Sequence, residues 1–175
     1  MIERLRGPRA SRWAALTLLL CCGCGVYSFS SSLLPSHIKT VAVPLMANET
    51  SRGDLTTALA DSLTEALIRD NTLRVVAERD ADSVIEGKIL EYKREPYTVD
   101  TRETVLQYRI EIVLEARFVD IAKNEVIWEE LRLSQWDTYN FSEVGGQPAE
   151  PEEAGIARAI AKLTQDLLNR TVEGW

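Results

Sequence analysis

The amino-acid pattern predicts an α/β two-layer sandwich: a mixed sheet of about five strands with two helices on one face, in the order β-α-β-β-β-β-α. Three observations carry this. Leu106, Tyr108, Ile110, Ile112, Leu114, Ala116 and Phe118 all occupy even positions, while Gln107, Arg109, Glu111, Glu115 and Arg117 hold odd ones, which is the period of a strand with one dry face. Leu55, Leu59, Leu63, Ala66 and Leu67 recur at helical spacing, and so do Ile156, Ile160, Leu163 and Leu167. A sheet with one dry face and two amphipathic helices can bury each other's apolar surface.

Taken in order, Thr40–Met46 is β-branched and apolar and reads as the first strand, with an edge or bulge at Pro44, which has no N–H for a ladder. Asn48–Asp54 supplies turn and capping residues. A helix follows over 55–69, closed by Asn71-Thr72. Leu73–Val76 is a short strand, parallel to the first because a helix separates them. After a turn at Asp80–Asp82, long strands are expected at Ser83–Tyr92 and Thr104–Val119. Asp120–Glu125 forms a hairpin with Lys123-Asn124 at its tip, and Val126–Trp136 returns antiparallel. Glu129-Glu130 breaks that strand's alternation and suggests a bulge. Ser142–Glu153 is expected to be a flexible loop. Pro151, with Glu150, Glu152 and Glu153, then starts the second helix near its positive end, and that helix runs toward Gly174.

At 175 residues there is room for one ordinary domain, and 45 % hydrophobic with 27 % charged residues is the composition of a folded chain. Lys and Arg number 20 against 27 Asp and Glu; without Glu3, Arg4, Arg6, Arg9 and Arg12 the balance is 16 against 26, a charge of −10. Such a domain has no broad field for a polyanion, so no nucleic-acid partner is expected. Cys21, Cys22 and Cys24 are clustered and no Cys or His follows His37, which removes Cys/His zinc sites, Cys-His dyads and a disulfide framework from the main domain. No catalytic residue, metal site or cofactor is expected. A hydrolase would have to use His37, and His37→Ala is its discriminator.

The first residues have the three parts of an export signal: basic residues, a short apolar run from Trp13 to Leu20, then Cys21-Cys22-Gly23-Cys24. The run is far short of the roughly 20 residues that span a bilayer. The cleavage region resembles a bacterial lipobox, with Gly23 as the small residue before an acylated Cys24, although Cys21 stands where that pattern usually has Leu. Residues 1–23 are then a lipoprotein signal peptide, 24–37 a lipidated N-terminus and tether, and 38–175 a single domain. Gly25 after the cysteine implies sorting to the outer membrane, on its periplasmic side.

Cys24-Gly-Val-Tyr-Ser-Phe29 resembles the Cys-Gly-Tyr-x-Phe start of mature lipopolysaccharide-assembly lipoproteins of the LptE family, with Val26 inserted. Ile38–Thr50 is similar to that family's first strand and Asn-x-Thr turn, Ala81–Gly87 to its Ala-Asp-x-x-(apolar)-x-Gly segment, and Asp120–Trp128 to its hairpin ending in Trp. The resemblance implies a non-enzymatic lipoprotein that plugs and helps assemble the LptD-type outer-membrane β-barrel and helps deliver lipopolysaccharide to the cell surface. The rival reading is a periplasm-facing interaction lipoprotein that activates a peptidoglycan synthase.

Basic residues concentrate in the strand region. Lys93, Arg94 and Arg102, with Tyr92 and Tyr97, form a candidate loop cluster for lipopolysaccharide phosphates. The plainer reading of this region is a solvated sheet face on which Arg109 and Arg117 alternate with Glu111 and Glu115 and take part in cross-strand pairs. Trp128 is expected in the core. The strand from Thr104 is long enough that its far end, with the Asp120–Glu125 hairpin, is expected to project beyond the helices. Glu150, Glu152 and Glu153 read as charge at a helix start rather than as a cation site with Ser142 or Glu143.

Overall fold

A computed structural model describes residues 34–173. The strands are β1 (Thr40–Ala42), β2 (Ala47–Asn48), β3 (Arg74–Val75), β4 (Ser83–Val99), β5 (Val105–Asp120) and β6 (Glu125–Asn140); the helices are α1 (Asp54–Asp70) and α2 (Glu152–Val172). They form one mixed six-stranded sheet in the order β3-β1-β4-β5-β6, with β2 also on β4. β1 is parallel to both β3 and β4, and the last three long strands are antiparallel. Both helices lie on the face made by the even positions of β5, as expected.

Four particulars differ from the sequence reading. The first strand is two short ones, because the chain leaves β4 around Pro44 and rejoins it at Ala47, so the sheet has six strands instead of five. β4 runs seven residues past Tyr92, to Val99, and β6 runs on to Asn140. The bulge expected at Glu129-Glu130 falls next to them, where Ala116 pairs with Glu130 but Leu114 pairs with Leu133. The expected loop before α2 contains a two-residue turn, with Val144 and Gln147 exchanging backbone hydrogen bonds of 3.0 and 2.9 Å around Gly145 and Gly146, both at positive φ.

The core is continuous. Leu55, Leu59, Leu63 and Leu67 of α1 and Leu163 and Leu167 of α2 meet Ile85, Ile89, Ile110, Ile112, Leu114 and Phe118 of the sheet, all at 1 % exposure or less. Each such side chain contributes about 1.5–3 kcal/mol on burial. Thr164 Oγ1 and Ser62 Oγ join the helices at 2.9 Å. Asn71, in the left-handed region at φ 59°, ends α1 by donating its N–H to the Leu67 carbonyl.

Candidate partner- and lipid-facing surface

The two ends of the long strands are built differently. At the base, where β1 enters the sheet, Asp82 Oδ2 accepts the N–H groups of Lys39 and Thr40, each at 2.9 Å, and the Thr40 hydroxyl at 2.8 Å. These donors, the Lys39 N–H first, hold the Asp82 carboxyl below its ordinary value. Ser83 Oγ donates to the Thr40 carbonyl at 2.8 Å. Asp120, 1 % exposed, accepts from His37 Nε2 at 2.7 Å. Burial pushes the Asp120 carboxyl up, but the Lys123 N–H and the His37 ring outweigh it and leave it low. The Asp120–Glu125 hairpin is therefore stapled to the base and is not the projecting end. His37, the imidazole a hydrolase would need, has Asp120 as its partner.

Gly87, on β4 above this clasp, sits so close to β5 that a Cβ would lie 2.2 Å from the Glu115 carbonyl oxygen. The Ala-Asp-x-x-x-x-Gly segment is thus an apparatus for joining strands. The Asn-x-Thr turn is another: Asn48 Oδ1 accepts from the Thr50 N–H and hydroxyl, both at 2.8 Å, and its Nδ2 donates to the Arg52 carbonyl at 2.8 Å. That turn aims the Arg52 guanidinium at Asp54 and Glu152.

Glu152, at the start of α2, is the centre of a half-buried network. Arg52 and the Tyr92 hydroxyl donate to its Oε1, and Arg94 Nε lies 3.1 Å from its Oε2. Burial, then the bond to Glu152, pushes the Tyr92 phenol well up. Arg94 also donates to the Tyr139 hydroxyl at 2.7 Å and stacks on Tyr108, 3.6 Å from its ring centroid. Of the three acids before and in the first turn of α2, Glu150 pairs with Arg158, and Glu152 and Glu153 both face Arg52. Among the described residues no group of three His, Cys, Asp or Glu could hold a metal ion.

Beyond this network β4 and β5 project past the helices: from Lys93 to Val99 every residue except Thr98 is exposed. Asp100 Oδ1 organises the turn at the tip by accepting the N–H groups of Arg102 and Thr104 at 2.7 and 2.9 Å.

The proposed phosphate cluster does not assemble. Lys93 and Arg94 lie within a strand, not a loop, so they point to opposite faces. Arg94 turns to the helices. Lys93, on the other face, pairs with Glu91 at 2.6 Å and, with Arg132 second, brings that carboxyl down to about 2. Arg102 stands at the tip, where its guanidinium has no partner among the described residues. Cys24 lies outside the described residues, as do the signal peptide and most of the tether. Arg117 pairs across strands with Glu86 at 2.8 Å, close to the plainer reading, and Glu115 with Lys88 at 3.5 Å. Trp128, expected in the core, is half-buried and packs against the core on Phe118, their ring centroids 6.3 Å apart.

Sequence reasoning missed a group that only the register assembles: Tyr97, Arg109 and Trp136, on the sheet face away from the helices. Tyr97 falls at the register shift between Pro96 and Thr98, and Trp136 lies opposite Glu111. The two rings are 6.0 Å apart and Arg109 packs on the indole at 4.6 Å. Tyr97 stood out in the sequence only beside the Lys93, Arg94 and Arg102 cluster, Arg109 only as a residue of the solvated face, and Trp136 only as an aromatic near the end of an amphipathic strand.

A family model described as LptE, lipopolysaccharide-assembly, matches residues 38–171. No curated protein matches the chain. Among solved structures it is similar to a DUF330-family protein from Xanthomonas campestris, with 11 % identity, 79 % of this chain and 89 % of that one covered, and a TM-score of 0.57. It is also similar to a hypothetical protein from Chlamydia trachomatis, with 15 % identity, 76 % and 95 % covered, and a TM-score of 0.52. At these identities the two likenesses show a shared fold.

Proposed function

The chain belongs to the LptE lipopolysaccharide-assembly family, and from that premise we propose that it is an outer-membrane lipoprotein that plugs and helps assemble an LptD-type β-barrel translocon. In this reading acylated Cys24 anchors it on the periplasmic side, residues 1–23 are removed, and 24–37 tether the domain. Its role is to bind and position lipopolysaccharide machinery, not to catalyse a reaction. The observation that carries the reading is the agreement of boundaries: the matched residues 38–171 begin at the buried Ile38 and end in the last turn of α2, and so take in all the described strands and both helices.

Within this reading Lys93 and Arg102 are the lipid-phosphate contacts, because their charged ends reach solvent, while Arg94 holds the hairpin that presents them. Replacing Lys93, Arg94 and Arg102 together by Ala should weaken binding of purified lipopolysaccharide; unchanged binding removes the assignment. The partnership is tested by affinity purification of the C-terminally tagged full chain from membranes, followed by mass spectrometry. A large β-barrel at near-equal amount is expected. A peptidoglycan synthase in its place would overturn the proposal in favour of an activator. Intact-mass analysis of a Cys24→Ala chain should show no acyl group; acyl mass retained would move the lipidation elsewhere.

A further inference from the structure

The sheet ends in β3 on one side and in β6 on the other, and the two ends are closed differently. An open edge offers unpaired N–H and C=O groups to any other strand. β3 is closed by brevity, since its two residues, Arg74–Val75, are too few to template a partner. β6 has 16 residues, well beyond the common strand length of about 5–6, and no strand lies on its far side. One flank of α2 runs along it instead. Arg158, Lys162, Asp166 and Arg170 recur every four residues, so they stand in one row on the helix. Arg158 Nη2 donates to the Thr138 carbonyl at 2.6 Å, and Lys162 Nζ to the Trp136 carbonyl at 2.9 Å. Just before the helix, the Glu150 N–H donates to the Asn140 carbonyl at 2.7 Å, and Glu150 Oε2 accepts the Asn140 N–H at 3.2 Å. Further down, Asp166 accepts from the Gln135 amide and Arg170 meets Glu130 at 3.2 Å.

Trp136, Thr138 and Asn140 alternate along the strand, so their backbone groups are the ones that turn away from β5 and would receive an added strand. The row is itself held in place. Asp137 accepts from Arg158 Nε at 3.0 Å and from Lys162 Nζ at 2.8 Å, and both Glu150 oxygens accept from Arg158 at 3.0 Å. Surface ion pairs by themselves contribute little, but here each cation also occupies a carbonyl of the edge. Without the row, the edge matches itself. An antiparallel pairing of two copies centred on Trp136 puts Arg132 opposite Asn140, Ser134 opposite Thr138 and Gln135 opposite Asp137. No like charges meet in that register. It also sets Leu133 opposite Tyr139, both buried on the helix side of the sheet, so the two cores would run on into each other. We propose that the charged flank of α2 is an autoinhibitory contact, which keeps β6 from pairing antiparallel with β6 of a second copy of this chain. This guard depends neither on the barrel nor on lipopolysaccharide.

The test is light scattering of the full chain in detergent micelles, at a range of protein concentrations. The parent chain should be monomeric. Arg158→Met with Lys162→Met keeps the apolar stems and removes both donors. That double variant should dimerise, each substitution tightening self-association about tenfold. Hydrogen exchange then locates the contact: the Ser134 and Trp136 amides should gain protection in the dimer and not in the parent. Ser134→Pro, added to the double variant, removes an outward donor without touching the β5 ladder and should restore the monomer. Should the double variant fail to fold, Lys162→Met alone carries the same expectation with the smaller shift. A variant that stays monomeric at every concentration would overturn the proposal. So would a dimer with open Ser134 and Trp136 amides, a dimer that survives Ser134→Pro, or a parent chain already paired through β6.

Discussion

The base and the tip of the same three strands follow opposite designs. At the base, Asp82, Ser83, Asp120 and Gly87 spend their side chains, or the lack of one, on fixing one chain segment to another, and the rows above them are packed under two helices. At the tip, beyond Arg94, the helices stop, and aromatic rings and charged groups stand in solvent on both sides of a twisted ribbon. The residues that resemble a family motif are therefore mostly structural, and the surface free to meet a partner carries little motif at all. A loop or strand end has to be held before it can be used, and Glu152 does the holding by joining Arg52, Tyr92 and Arg94 where the two regions meet.

Variants that break the base should cost most. Leu63→Ala removes a side chain at 0 % exposure between helix and sheet and should cost about 2–5 kcal/mol, read from the shift in urea midpoint at constant slope. Gly87→Ala should cost about 1–3 kcal/mol or more, since the Cβ meets a carbonyl oxygen that is part of the ladder and cannot turn aside. At the junction, Glu152→Gln should cost about 1 kcal/mol, the partly exposed network being screened by solvent. Its larger effect should be loosened amide protection in 93–99 while 83–89 stays protected; equal loosening of both would deny that Glu152 separates the regions.

Acid offers a gentler probe. Asp82, Asp120, Asp137 and Glu150 all have carboxyls held below their ordinary values. A depressed folded value means that their stabilisation is complete above the unfolded value, about 4, and is lost as pH falls through the folded values. The urea midpoint should fall from pH 5 to pH 2, and Asp82→Asn should flatten part of that fall. The smallest effect belongs to the tip: Arg102→Ala should change stability by less than about 0.5 kcal/mol, and a larger loss would mean that the tip is structural after all.

Much was legible in the chain itself. Both helices, the one-sided strand from Leu106 to Phe118, the hairpin at Lys123-Asn124 and the interruption at Pro44 follow from periods of 3.6 and 2, from a proline without an N–H and from turn chemistry. These are local preferences, and neighbours in sequence decide them. The length of β4 was not legible, because Lys93–Val99 is polar on both faces once the helices end, and only pairing with β5 makes it a strand. For the same reason Lys93 and Arg94 looked like one cluster and are two residues facing opposite ways.

The amino-acid sequence alone determined the fold class, the dry face of the sheet, the acidic balance and the family likeness, since each is written in spacing or composition. Tertiary structure alone decided that Arg94 belongs to Glu152 and that Tyr97, Arg109 and Trp136 share one surface. Those three residues lie on three strands, and only the register, with its bulges, brings their side chains within reach.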